Sequence, residues 1–167
     1  DLCMSHDNSA AISGTFKKLG VDEVRYPDRI AIVLDHCVPA AGAKYAQNHK
    51  TVREFVAEQG ISRFHDIHVG ICHQVLPEQG HVVPGTLIVG SDSHTCTYGA
   101  FGAFSTGIGR SEAAVTWATG EIWLKVPETM RIEVTGELQP FVTAKDIALK
   151  LIGDYGADGG LYKALEF

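Results

Sequence analysis

Three features of the 167-residue sequence predict an α/β fold built on a parallel sheet. Short β-rich apolar runs recur along the chain. Amphipathic segments of helical length separate them, and glycines or helix-capping residues stand where one kind gives way to the other. Such alternation marks βαβ units, because parallel neighbours need a crossover long enough to hold a helix. An apolar share of 45% and a charged share of 20% fit an ordinary globular protein with one domain, or one domain and part of a second.

The elements follow in order. "DLCMS" looks like a strand running into a turn, and because the chain does not begin with Met we expect it to be cut from a longer polypeptide. Residues 8–20 open on a capping-type Asn8 or Asp7 and close on Gly20, with Ala11, Ile12, Phe16 and Leu19 at helical spacing. The run "IAIVL" (30–34) is a strand, and residues 43–60 form a helix with Tyr45, Ala46, Val52, Phe55 and Val56 inside and Gly60 as its stop. Strands are expected at 63–68 and 86–90, and a helix from about 111 to 124. "KVPETM" (125–130) breaks the chain, placing a first α/β domain at 1–125 and the start of a second at 126–167. In the second, a strand is expected at 131–136 and a helix at 144–152, capped by Thr143 with Asp146 three residues on.

A net charge of −6 without any Lys/Arg block argues against nucleic acid or an anionic membrane as partner. No apolar run approaches the roughly 20 residues that span a bilayer, and the N-terminus is not signal-like, so a cytoplasmic location is expected. Cys3, Cys37, Cys72 and Cys96 are scattered, with no CxxC pair, which predicts reduced and mostly buried thiols.

Chemistry concentrates after two strands. Asp35 and His36 follow "IAIVL", and Asp92, Ser93 and His94 follow "TLIVG". In parallel sheets the loops after the carboxyl ends of strands line the ligand crevice, so both groups are expected at one edge. His73 in "GICHQ" and His6 in "SHDNSA" are further candidates. His49, His65, His68 and His81 are set aside as solvated or bonded to backbone, and Asp7 as a helix cap. The Gly-rich tract 98–114 lacks both GxxxxGK[ST] and GxGxxG, and "GSDSH" is not GxSxG; the glycines are read as sites of tight turns or close approach. Two chemistries remain open on residues alone. One is acid–base work; the other is ligation of one or two divalent ions by Asp35, His36, His73, Asp92 and His94, as in metal-dependent hydrolases.

The long ordered motifs "LDHCVPA", "GICHQVLPEQGHVVPG" and "GTLIVGSDSHTCTYGAFGAFSTGIGRSEAA", with "DLCMSHDNSA", resemble the aconitase superfamily. The resemblance is nearest to its two-subunit branch of isopropylmalate dehydratases and homoaconitases, and it extends over essentially the whole chain. It implies a three-layer α/β/α domain and the dehydration and rehydration of a small hydroxy-di- or tricarboxylic acid on a [4Fe–4S] cluster. In that pattern His36, paired with Asp35, protonates the departing hydroxyl. His73 is a second active-site histidine with Asp92 as carboxylate partner, His94 a third histidine, and Ser93 and His6 contact substrate. The same resemblance implies that the cluster cysteines, and the glutamate paired with the third histidine, lie in motifs this chain does not contain. The base, a serine, and the substrate-gripping arginines belong to a swivelling domain, here a separate small subunit. This chain alone is therefore expected to hold neither cluster nor activity, with no metal ligands of its own.

Overall fold

Cys3 and Met4 sit in the central strand of a five-stranded parallel sheet in the computed structural model, which describes residues 1–167. The strands are β1 (Leu2–Ser5), β2 (Ile30–Val33), β3 (Arg63–His65), β4 (Leu87–Gly90) and β5 (Phe104–Gly107), in the order β3-β2-β1-β4-β5. Cys3 pairs with Ile30 on one side and Val89 on the other, which sets the register of the three inner strands. Because alternate residues of a strand face opposite sides, the sheet builds two cores. Cys3, Ile30, Ile32 and Val89 face one; Leu2, Met4, Ala31, Val33 and Ile88 face the other.

On the first face lie α1 (Ser9–Lys18), α2 (Ala43–Gln59) and α4 (Arg110–Thr119), contributing Ile12 and Phe16, Val52 and Phe55, and Ala113 and Trp117. Phe55 stacks on Trp117 with centroids 5.3 Å apart and meets the edge of Phe16 at 5.8 Å. Each such fully buried side chain contributes about 1.5–3 kcal/mol. The second face is covered by α3 (Cys72–Glu78) and a 3-10 segment, Thr95–Phe101, through Cys72, Leu76 and Tyr98. Helices on both faces make the three-layer α/β/α arrangement.

Several expectations are corrected. Tyr45 and Ala46, expected inside α2, are exposed, because the buried stretch of that helix begins only at His49. The helix expected to reach 124 ends at Thr119, because Gly120 takes a left-handed conformation and closes it. The strand expected over 63–68 stops at His65, as β2 offers no partner beyond Val33. β5 lies within the Gly-rich tract, where "FSTG" carries no alternation to reveal it, and α3 has only seven residues with Pro77 inside it. Neither Asp7 nor Asn8 caps α1; Asn8 instead binds the Ser91 carbonyl and hydroxyl at 3.0 and 2.9 Å, tying the start of α1 to the end of β4.

Contacts divide the chain into two compact units, Asp1–Ile122 and Trp123–Phe167. In the second, β6 (Glu128–Arg131) pairs in parallel with β7 (Lys163–Glu166), and α5 (Ala144–Tyr155) lies between them in sequence. The strand expected at 131–136 is displaced toward the N-terminus, because its four-residue partner β7 pairs with residues 128–131. The Thr143–Asp146 capping box is formed.

Candidate active site

The chain winds from β1 outward through β2 to β3, then returns to the other side of β1 as β4. That reversal leaves a crevice at the carboxyl ends of β1 and β4. His6 follows β1, Asp35 and His36 follow β2, and Asp92 to His94 follow β4, while His73 enters on the first turn of α3.

Asp92 is the hub. Its side chain is buried, and its Oδ1 accepts the His94 backbone N–H at 2.7 Å and His73 Nε2 at 3.0 Å. Its Oδ2 accepts His36 Nε2 at 2.8 Å and lies 3.9 Å from His6 Nε2. Burial alone would raise the Asp92 carboxyl, but the donors of His94 and His36 outweigh it and hold the group below the usual carboxylate range. The close packing needed here comes from Gly107 at the end of β5. A Cβ on that residue would stand 2.9 Å from the Asp92 carbonyl oxygen.

Asp35 holds the other side of His36. Its Oδ1 accepts Nδ1 at 2.7 Å and its Oδ2 accepts the Cys72 N–H at 2.6 Å, so one carboxylate fixes both the imidazole and the start of α3. His36 thus bridges two carboxylates. Burial opposes its charge, but the bonds to Asp35 and Asp92 prevail and raise its pKa above the ordinary imidazole value. His6 stacks on it at 3.7 Å between centroids and 23° between planes. Burial first, and the neighbouring His36 charge second, lower the His6 pKa and keep this ring neutral. His6 Nδ1 and His73 Nδ1 are buried without a hydrogen-bond partner.

The structure therefore brings together His6, Asp35, His36, His73 and Asp92. Ser93 and His94 sit at the rim, both exposed; the His94 ring approaches Asp92 only at 3.4 Å, and its side chain is 78% exposed. Two residues set aside on sequence belong to the site's frame. Asp7 accepts the N–H groups of Asp35 and His36 at 3.0 and 2.8 Å and that of Cys37 at 3.3 Å, and His49 Nε2 at 2.5 Å. His49 is buried and bonded to a carboxylate, so the expectation of a solvated ring is corrected; a His on the buried side of an amphipathic helix was the available signal. His65 and His81 face each other at 3.3 Å, also unlike the expectation, and His68 is exposed.

Donor atoms fall into two sets within 4.8 Å of one another, one from His6, Asp7, Asp35 and His36, the other from His73, Asp92 and His94. Both offer nitrogen and oxygen, and no cysteine is in either. The chemistry of an iron–sulfur cluster needs several thiolates together. Here Cys3 and Cys72 lie in cores on opposite faces of the sheet, Cys37 follows β2 and Cys96 is exposed, so the thiols do not fit one. Burial lifts the Cys3 thiol to about 12 and raises that of Cys72 further, leaving both protonated.

A family model described as "Aconitase family (aconitate hydratase)" matches residues 1–167. The chain belongs to the aconitase family. Its parallel sheet between helical layers is an aconitase-type domain. The chain is 53% identical over its whole length to the "3-isopropylmalate dehydratase large subunit 1" of Methanopyrus kandleri, 40% of which it covers. It is 52% identical over its whole length to the "3-isopropylmalate dehydratase large subunit" of Aquifex aeolicus, covering 39% of that protein. It is likewise 49% identical to the "Probable methanogen homoaconitase large subunit" of Methanosarcina mazei, covering 43%. The chain thus spans about 40% of the length of these aconitase-family relatives.

Proposed function

We propose that the protein to which this chain belongs is a hydro-lyase that interconverts 2- and 3-isopropylmalate by dehydration and rehydration, a step of leucine biosynthesis. The observation that supports it most is His36, bridged between Asp35 and Asp92, which raise its pKa, at a crevice of the aconitase-family fold. Hydroxide is a poor leaving group, and a positioned acid with a pKa near working pH removes that obstacle. As the C–O bond breaks, its electron pair leaves with oxygen, which takes the His36 proton and departs as water. The proton on the adjacent carbon goes to a base supplied by the partner subunit. Rehydration adds water across the double bond with the two positions exchanged, the hydroxyl going to the carbon that lost the proton and the proton to the carbon that lost the hydroxyl, which yields the isomer.

Both nitrogens of His36 already donate to carboxylates. Delivery of the proton therefore requires the substrate hydroxyl to displace Asp92 from Nε2, and Asp92 then keeps its bond to His73. The exposed face of His36 and the Ser93 hydroxyl are the remaining groups for substrate. The names of the relatives support a small partner subunit and favour isopropylmalate, with homoaconitate as the second reading because a homoaconitase large subunit is nearly as similar. A dimethylmalate-type acid is a third option. They lend the metal-dependent hydrolase no support.

The resemblance to this family implies a [4Fe–4S] cluster in the whole protein, acting as a Lewis acid toward the substrate hydroxyl, held by cysteines other than these four. No helix here is long and apolar enough to cross a membrane, and a cytoplasmic site is part of the proposal. The test is the full-length protein with its small subunit, reconstituted anaerobically with iron and sulfide and assayed on 2-isopropylmalate, homocitrate and dimethylmalate. Turnover of isopropylmalate above the others is expected. A protein that holds zinc and no iron and cleaves esters or phosphates would overturn the reading.

A further inference from the structure

Four donors converge on the carboxylate of Asp7. Oδ2 accepts the backbone N–H groups of Asp35 and His36, and Oδ1 accepts Cys37 N–H and His49 Nε2. Three successive amides around one anion form a nest, a concave arrangement that a turn adopts when a negative charge fills it. Asp7 stands directly after β1 and His49 lies on α2. The pair therefore links the middle strand of the sheet, the turn after β2 and the helix that follows that turn.

Asp7 cannot act on substrate, since it is 6% exposed and its oxygens are engaged by those four donors. Nor does its charge set the state of His36, whose shift stands on burial opposed by Asp35 and Asp92. What remains is location. Asp35 and His36 project from the turn that Asp7 grips, and His36 reaches Asp92 only from there. We infer that Asp7, locked by His49, is a positioning residue that aims the Asp35–His36 pair across the crevice. His49 serves by fixing the Asp7 carboxylate and does no chemistry of its own. The inference rests on the proposed lyase reading for its kinetic consequence and on the geometry alone for its spectroscopic one.

The experiment uses the full-length protein with its partner subunit, and two pairs of variants. Asp7→Ala releases the turn; kcat should fall about 100-fold, the scale expected when a reacting group is misplaced by about 1 Å, with KM close to wild type. Asp7→Asn keeps one oxygen for the amides of residues 35 and 36, and its NH2 can donate to His49 in the other tautomer, so about a tenfold loss is expected. His49→Gln returns a side-chain N–H at similar reach and should retain activity, whereas His49→Leu should resemble Asp7→Ala.

Titration of the His36 ring, followed by NMR of histidine-labelled protein without substrate, is the second readout. His36 faces Asp35, Asp92 and His6. Once the turn loosens, both carboxylate bonds weaken and the ring should titrate closer to the ordinary imidazole value in Asp7→Ala and His49→Leu, and as in wild type in His49→Gln. Unchanged titration in folded His49→Leu, or equal losses in the Gln and Leu variants, would overturn the inference even if Asp7→Ala fails to fold. A wild-type protein inactive on every hydroxy acid, but showing these His36 shifts, would overturn the lyase reading and leave the positioning role standing.

Discussion

His36 Nε2 donates to Asp92 Oδ2 across 2.8 Å and so joins the ends of β2 and β4, strands that are not neighbours in the sheet because β1 runs between them. One hydrogen bond thereby closes the crevice over the central strand, and it couples the proposed acid to a carboxylate that also holds His73.

Removing the acid should affect chemistry more than binding. His36→Ala in the full-length enzyme is expected to lower kcat by about 10²–10⁴, the range for a lost general acid, while KM changes little. Steady-state rates in both directions check it; an unchanged kcat would refute the assignment of His36 as the acid.

The bridge sets a pH window. The pKa of His36 is raised from 6.5 on folding, so its contribution to stability is fully present below 6.5 and lost as pH rises through the folded value. The pKa of Asp92 is lowered from 3.8, so its contribution is present above 3.8 and lost as pH falls through the folded value. The site is therefore most firmly held between those limits, and activity should fall on the alkaline side at a pKa above 6.5. Asp92→Asn removes one of the two carboxylates on His36 and should move that alkaline limb downward. A pH–rate profile of kcat/KM, which reports the free enzyme in which the bridge is formed, would count against the bridge if the limb were unmoved.

Gly107 offers a steric test. Alanine there would press its Cβ against the Asp92 carbonyl, 2.9 Å away, and the Ser93 Cα, 3.4 Å away. The turn bearing Asp92 must shift by a few tenths of an ångström. About 1–3 kcal/mol of stability is expected to be lost, with a tenfold or greater loss of activity in protein that still folds, as judged by circular dichroism.

The core facing α1, α2 and α4 predicts a purely structural variant. Phe55→Ala removes a ring that contacts both Phe16 and Trp117 and is expected to cost about 3–5 kcal/mol. The denaturant midpoint should drop sharply, while the residual folded protein keeps the pH profile of wild type. A shifted profile would mean that this core also governs the crevice.

Much of the fold was legible along the chain. Apolar runs at 30–34 and 86–90, and helical periodicity at 8–20 and 43–60, are local patterns, and burial follows from them because alternate or every third-to-fourth residue must face a core. Asp35, His36, Asp92 and His73 stood out because they follow such strands or sit in a motif of specific order. The same local logic fails for β5 and α3, whose four and seven residues carry too few positions to show a period.

What sequence determined by itself, then, was the class of fold, its family and the residue types at the strand ends. Only the tertiary structure decided who meets whom. Asp7 reads locally as a helix cap and His49 as one polar residue of a helix, 42 positions away, yet they share a hydrogen bond of 2.5 Å. Asp92 and His36 are 56 positions apart and 2.8 Å distant. Pairing across such separations depends on the crossing order of the strands and on how closely Gly107 lets β5 approach, quantities that arise from packing the whole sheet and that no window of neighbouring residues contains.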